Sequence, residues 1–273
     1  MSGMKLKVGL LSKRIPYARL GAGGKTMLIL TGGPGTMIPS GPVSRMMTKP
    51  FETFAREYTI WFLGRRQGQP RGFSTRAMSD DCARLIESEF GGQVDAVIGM
   101  SYGGLIACYL ASDHPDRFRR IVLLMAAHRV SDIGREIDYR YARLASEGKP
   151  RQAAVVMTGA LVPKGIGASL MKGLGWLVGP LLSKGTHPSY RSDVMIEAEA
   201  EVAHDAQEVL PSISVAVLIC VGTDDVYFPQ AIVEETARLI ERSELKQYEG
   251  RGHVSLMRDK RLIPDIQEFL SKD

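Results

Sequence analysis

A mostly parallel, doubly wound α/β sheet with one helical insertion is the architecture expected from three features of the 273-residue sequence. Short, continuously apolar runs alternate with amphipathic helical stretches, the pattern of buried parallel strands joined by crossover helices. Gly-, Asp- and His-containing loops follow several of these runs, where open parallel sheets carry their functional rim. The alternation then fails between His128 and Pro211, where no strand-like run occurs.

In chain order, residues 5–11 read as an edge strand and residues 27–30 and 59–63 as buried strands. Ser79 opens a helix that runs to about Phe90, with Asp80 and Asp81 in its first turn and Gly91-Gly92 as its stop. Residues 94–98 form the next strand. A helix over 105–113 follows and ends before Pro115. Residues 121–125 and 215–221 are further buried strands. Pro229 opens a helix with Ile232, Val233, Thr236, Leu239 and Ile240 at helical spacing. Residues 245–248 add the last strand, and a helix over 262–270 closes the chain. The core therefore comprises residues 1–128 and 212–273, and residues 129–211 form a cap of about four helices separated by Gly and Pro. Its last piece, 189–210, is expected to be an acidic amphipathic helix.

Hydrophobic residues make up 44% of the chain and charged residues 24%, enough for a sizeable core and unlike disordered or fibrous composition. Lys and Arg outnumber Asp and Glu by 35 to 30, but the excess is scattered. The densest basic group, Arg65, Arg66 and Arg71, lacks the interleaved aromatics of a nucleic-acid surface, so no nucleic-acid partner is expected. Cys82, Cys108 and Cys220 lie far apart in apolar or helical segments and are read as core residues, with neither a disulfide framework nor a metal site. Residues 1–11 alternate Lys with apolar residues and lack the apolar stretch of a signal peptide, so a cytoplasmic location is expected. The apolar segment 165–182 is Gly-rich, is interrupted by Lys172 and is marginal in length for a bilayer. Its stripe of Ile166, Leu170, Met171, Leu174, Leu177, Val178 and Leu181, with Trp176 beside it, reads as part of a helical lid rather than a membrane anchor.

The chemistry centres on Gly99-Met100-Ser101-Tyr102-Gly103, a G-x-S-x-G placed after a strand and opening a helix. A serine on so sharp a turn has strained backbone angles, and Gly99 and Gly103 stand where larger side chains would clash. Acyl transfer at Ser101 also needs donors for an oxyanion. One is expected from the Tyr102 N–H and the other from Gly33, in Thr31-Gly32-Gly33-Pro34-Gly35 after an early strand.

An acid and a base should follow in the order Ser, Asp or Glu, His. Asp224 and Asp225 follow one late strand and His253 follows the next. His253 is the expected base. His114 sits at a helix end, His187 and His204 lie in the cap, and His128 precedes the acid and breaks the order. Position alone leaves Asp224 and Asp225 open.

On these residues the chain resembles the α/β-hydrolase superfamily, specifically its carboxylesterase-like serine hydrolases with a helical cap. The resemblance runs from Pro16-Tyr17 through the Gly33 loop, the Ser101 turn and His114-Pro115-Asp116-Arg117-Phe118 to His253. It implies Asp225 as the acid, because Gly222 to Pro229 matches the family's G-x-x-D-x-x-x-P. It also implies an acyl-enzyme mechanism without metal or cofactor, acting on a small ester-like substrate. Lactonase, thioesterase and perhydrolase chemistry, and a receptor that only binds, share the same residues. Met157, Met171, Trp176 and Met195 in the cap suggest an apolar group on that substrate. Two positions depart from the family pattern: Thr31 replaces a His, and Gly64 stands where an Asp often precedes the Arg-Gly loop. The Gly-Gly-Pro-Gly stretch is similar to that of prolyl aminopeptidase-type members, whose remaining pattern is weak here.

Overall fold

The computed structural model describes residues 6–35, 38–40, 44–161, 166–182 and 187–272. Eight strands form one sheet: β1 (Lys7–Leu11), β2 (Ile15–Leu20), β3 (Lys25–Leu30), β4 (Tyr58–Leu63), β5 (Val94–Met100), β6 (Phe118–Leu124), β7 (Val217–Gly222) and β8 (Ser243–Tyr248). Their order is β1-β2-β4-β3-β5-β6-β7-β8. β1 and β2 pair antiparallel with each other, and β2 pairs antiparallel with β4. All remaining pairs are parallel.

The central strands are apolar throughout because both sheet faces are covered. On one face lie α2 (Thr75–Glu89), α3 (Tyr102–Asp113) and α8 (Gln230–Leu239), which pack Ile86, Leu105 and Val233 against Val97, Ile121 and Ile219. On the other, α9 (Leu262–Ser271) and a 3₁₀ turn after α1 (Ser44–Thr48) pack Ile266, Phe269, Phe51 and Phe54 against Ile60, Ile98 and Val122.

Beyond α1, the 3₁₀ turn after it and a last inserted helix that ends at Val202 rather than Leu210, two further elements differ from the sequence expectation. β2 was not anticipated, because Pro16 breaks the apolar run and cannot donate to a ladder. It is tolerated beside the edge strand, where Pro16 faces Leu10 while its carbonyl accepts from Gly64 N at 2.9 Å. Helix α2 starts at Thr75 rather than Ser79. Ser74 is the true cap, its Oγ accepting from Ala77 N at 3.1 Å, and Ser79 lies buried inside the helix. Lys5 and Gly165, at the starts of two expected segments, lie outside the described residues.

Among the described residues, four α-helices occupy the interval between β6 and β7: α4 (Asp132–Ser146), α5 (Pro150–Leu161), α6 (Ile166–Leu182) and α7 (Tyr190–Val202). Leu174, Trp176 and Leu177 of α6 are exposed, and among the described residues no helix is long and apolar enough to cross a membrane. Met195 packs beside Ala142, Val194 and Ala198 within the helical segment. The expected acidic amphipathic helix is corrected in kind. Asp193, Glu197 and Glu201, spaced four apart on α7, are buried: Asp193 and Glu197 bond to the loops after β4 and β3, and Glu201 faces Asp138 of α4. The three cysteines are buried and free, and burial pushes each thiol up to about 12.

Candidate active site

Ser101 stands between β5 and α3 with φ of 50° and ψ of −117°, a conformation that L residues seldom adopt. The turn is closed by Ser101 N donating to Leu124 O at 2.9 Å and Gly104 N donating to Ser101 O at 2.8 Å. The turn has no spare volume. A Cβ on Gly103 would lie 2.1 Å from Leu30 O, and one on Gly99 would lie 2.6 Å from Ala107 Cβ.

The carboxyl ends of β7 and β8 bring the other two residues to it. His253 Nε2 lies 3.0 Å from Ser101 Oγ, and its Nδ1 lies 2.8 Å from Asp225 Oδ2. Asp225 Oδ1 accepts from Tyr227 N at 2.9 Å and Phe228 N at 3.2 Å, which leaves Oδ2 for the imidazole. A carboxylate on Nδ1 keeps the proton there, so Nε2 accepts from the Ser101 hydroxyl. The Asp225 side chain is 0% exposed and His253 only 11%, so this bond is weakly screened. Tyr227 and Phe228 flank the imidazole at ring distances of 4.7 and 5.9 Å. Asp224, the neighbour that position alone could not separate, is exposed and lies 3.3 Å from Thr223 Oγ1.

On the opposite side of Ser101 lies the loop after β3. A Cβ on Gly32 would sit 3.1 Å from Ser101 Cβ, so this backbone abuts the serine, and Gly33 has φ of +67°. Tyr102 is the first residue of α3, and its N–H has no acceptor within the helix. Thr31 N and Oγ1 both donate to Leu63 O, at 3.1 and 3.0 Å.

Residues to which the sequence pattern gave no role at the site hold this second loop. Arg65 Nη1 donates to Thr31 O at 2.8 Å, and Nη2 donates to Gly33 O and to Glu197 Oε2, the latter at 2.9 Å. The same Glu197 oxygen accepts from Gly35 N at 2.5 Å, while Oε1 accepts from Gln69 Nε2 at 2.6 Å. Asp193, one turn earlier, accepts from Gly68 N at 2.8 Å and Gln69 N at 2.9 Å. Burial opposes the Arg65 charge, but Glu197 outweighs it and raises the guanidinium further. The available signals were the Arg65-Arg66 pair and the four-residue acidic spacing, both of which read as surface. In the fold Arg66 also turns inward, with its Nε 2.9 Å from Asp81 Oδ2 and its guanidinium over the Phe73 ring.

Behind His253 a second buried acid group adjoins Tyr227, whose hydroxyl donates to Asp138 Oδ1 at 3.2 Å. Burial pushes the Asp138 carboxyl up to about 6. Burial and then Asp138 raise Glu201 well above the usual carboxylate range. The remaining histidines stand apart from Ser101. His114 caps α3 against Asp80 at 2.8 Å, His187 Nδ1 lies 2.8 Å from Ser189 Oγ, and His128 and His204 are buried against Thr236 and Thr75. Among the described residues no group of His, Cys, Asp and Glu could hold a metal ion.

Residues 26–155, from the start of β3 into α5, match the family model of the alpha/beta hydrolase fold. The chain has the alpha/beta hydrolase fold. Solved alpha/beta hydrolases of comparable size superpose over almost the whole of this one. The enol-lactonase from Burkholderia xenovorans LB400 aligns with a TM-score of 0.74 and 20% identity, over 97% of this chain and 100% of that one. MGS-M2, from a Medee basin deep-sea metagenome library, gives 0.77 and 16% over 98% of both chains. A thermophilic esterase from Thermogutta terrifontis gives 0.69 and 22% over 97% of this chain and 98% of that one. No curated relative matches the sequence.

Proposed function

We propose that this protein is a serine hydrolase of the alpha/beta hydrolase family that cleaves a carboxylic ester, or a closely related acyl bond, in a small molecule. The observation that carries the reading is the relay through His253: 3.0 Å from Nε2 to a serine hydroxyl on a strained turn, and 2.8 Å from Nδ1 to a buried carboxylate. Ser101 Oγ attacks the carbonyl carbon as its proton passes to His253 Nε2. The carbonyl electron pair moves onto oxygen, where the N–H groups of Tyr102 and Gly33 receive it. Collapse of the adduct expels the alcohol, which takes the proton from His253. Water then repeats the sequence on the acyl-enzyme, and the acid departs with Ser101 restored. Asp225 holds the imidazole tautomer and offsets its transient charge. In this reading residues 1–128 and 212–273 carry the chemistry and 129–211 cap the substrate.

Turnover of p-nitrophenyl esters and covalent labelling by a fluorophosphonate test the reading together. Wild type should do both, and Ser101→Ala should lose both while melting at the wild-type temperature. A folded Ser101→Ala protein that keeps most of its ester turnover would overturn the assignment, and labelling without any turnover would point to a binding protein. Because an esterase and an enol-lactonase share the fold, lactones belong in the substrate series beside esters.

A further inference from the structure

We propose that Arg65 is the positioning residue for the Gly33 oxyanion donor, held in place by Glu197 of α7. The proposal rests on the reading of Gly33 N–H as a donor. That N–H belongs to the peptide between Gly32 and Gly33, and Arg65 bonds the carbonyls on either side of it, Thr31 O and Gly33 O. Fixing the two flanking peptide planes fixes the orientation of the one between them. This matters here because Gly32 and Gly33 carry no side chain that could anchor the loop, and the φ of +67° at Gly33 leaves its backbone free to relax.

The support at Thr31 shows why a distant residue has the task. Its hydroxyl and amide both go to Leu63 O, which anchors the start of the loop to β4 but leaves the following residues unheld. Thr31 also borders a cavity of about 30 Å³ shared with Leu30, Gly64 and Arg65. Arg65 spans that region. Its planar fork suits two separated carbonyls and a carboxylate, whereas a single ammonium would not reach all three. Glu197 completes the clamp by accepting from Gly35 N on the far side of Pro34, and the Arg65 guanidinium lies 4.6 Å above the ring of Tyr102, the residue that supplies the other donor. Tyr102 in turn donates its hydroxyl to Glu197 O at 2.8 Å. One ion pair therefore touches the supports of both proposed donors, and it joins them to α7.

The test separates positioning from mere charge compensation. Arg65→Met alone strands a buried carboxylate and is expected to destabilise the fold, so the informative protein is the double variant Arg65→Met/Glu197→Gln, which removes both charges. With this variant folded, kcat for a p-nitrophenyl ester should fall about 10- to 10²-fold while KM stays within twofold, since a misaimed donor is felt in the transition state. The inhibition constant of a trifluoromethyl ketone, which forms the oxyanion, should rise by the same factor. Recovery of kcat to within twofold of wild type in the folded double variant would overturn the proposal, as would a loss confined to KM. Where the double variant shows no cooperative melt, Arg65→Lys decides instead. It keeps the charge beside Glu197 but cannot bridge both carbonyls, and the same kcat loss is expected, with wild-type kcat counting against the proposal. Ser101→Ala runs in parallel: if it is inactive while the Arg65 variants are normal, only the role of Arg65 fails, whereas an active Ser101→Ala removes the reading beneath it.

Discussion

The two sides of Ser101 are built on different principles. On the His253 side, Asp225 is fixed by amides two and three residues ahead of it, and the imidazole is held between that carboxylate and rings of the same loop. On the Gly33 side, the backbone is fixed by Arg65, 32 residues away, and Glu197, 162 residues from Gly35. One half is assembled from local loop geometry at strand ends. The other depends on a long-range ion pair from a helix outside the sheet. Local geometry survives the loss of a distant helix; a long-range clamp does not.

The largest expected effect tests the local half. Asp225→Asn keeps the shape of the loop but presents an amide to Nδ1, which favours the wrong imidazole tautomer. A fall in kcat of about 10⁴ is expected, the scale of the same change in other Ser-His-Asp enzymes. Asp224→Asn should change kcat less than twofold, since the Asp224 side chain is exposed and accepts from its neighbour Thr223 rather than from His253. Ester kinetics on the two variants decide the matter, and comparable losses would show that the loop does not separate the two carboxylates.

The same contrast explains how much could be read in advance. The apolar runs of β3 to β7 and the G-x-S-x-G turn were legible because each is set by local pattern or local sterics. Residues Ser101 and His253 follow from strand ends, and the carboxylate that lies 2.8 Å from His253 Nδ1 is that of Asp225, the residue the family resemblance implied where position left Asp224 open. β2 was missed because Pro16 is locally unfavourable and is tolerated only near the start of the strand, where the register with β4 begins one residue later at Tyr17. Arg65, Glu197 and Asp193 were invisible because a charged residue at helical or loop spacing reads as solvated, and only the approach of α7 to the loops after β3 and β4 reverses that.

Gly103→Ala probes how little slack the local half has. The new Cβ would meet Leu30 O at 2.1 Å, a backbone atom that cannot rotate away, and β3 would have to shift. A stability loss of about 3 kcal/mol or more is expected, at the top of the overpacking range. Chemical denaturation would measure it. A variant as stable as wild type would mean that the elbow can expand.

The link between the two halves runs behind Tyr227, through Asp138 of α4 and Glu201 of α7, and it should leave a pH signature. An unfolded Asp titrates near 3.8, whereas burial pushes Asp138 up to about 6. Between these values the folded protein holds a proton that the unfolded chain has lost, so this group makes stability fall as pH rises, by about 1.4 kcal/mol per pH unit. His204, buried and held down to about 3, works in the opposite sense from about pH 6.5 downward, because there only the unfolded chain binds the proton. The two slopes oppose each other over the shared range, so the wild-type curve alone conceals both. The difference between Asp138→Asn and wild type reports Asp138 together with its hold on Glu201: the variant should gain relative stability from about pH 4 to 6. Urea unfolding across that range checks it, and parallel curves would show that Asp138 titrates normally.

A smaller effect on stability is expected at Gly33, where the contrast with Gly103 is sharpest. A Cβ on Gly33 meets nothing within 4 Å, so Gly33→Ala carries no steric clash and only the cost of a left-handed backbone angle, about 1 kcal/mol. Thermal melting should therefore show only a modest drop. If Arg65 holds the flanking peptides firmly, the alanine variant will absorb that strain without reorienting its N–H and kcat will stay within a few-fold of wild type. In the Arg65→Met/Glu197→Gln background the same alanine should relax toward an ordinary backbone angle and reduce kcat further. A Gly33→Ala penalty on kcat that is identical in both backgrounds would mean that the clamp and the loop act independently.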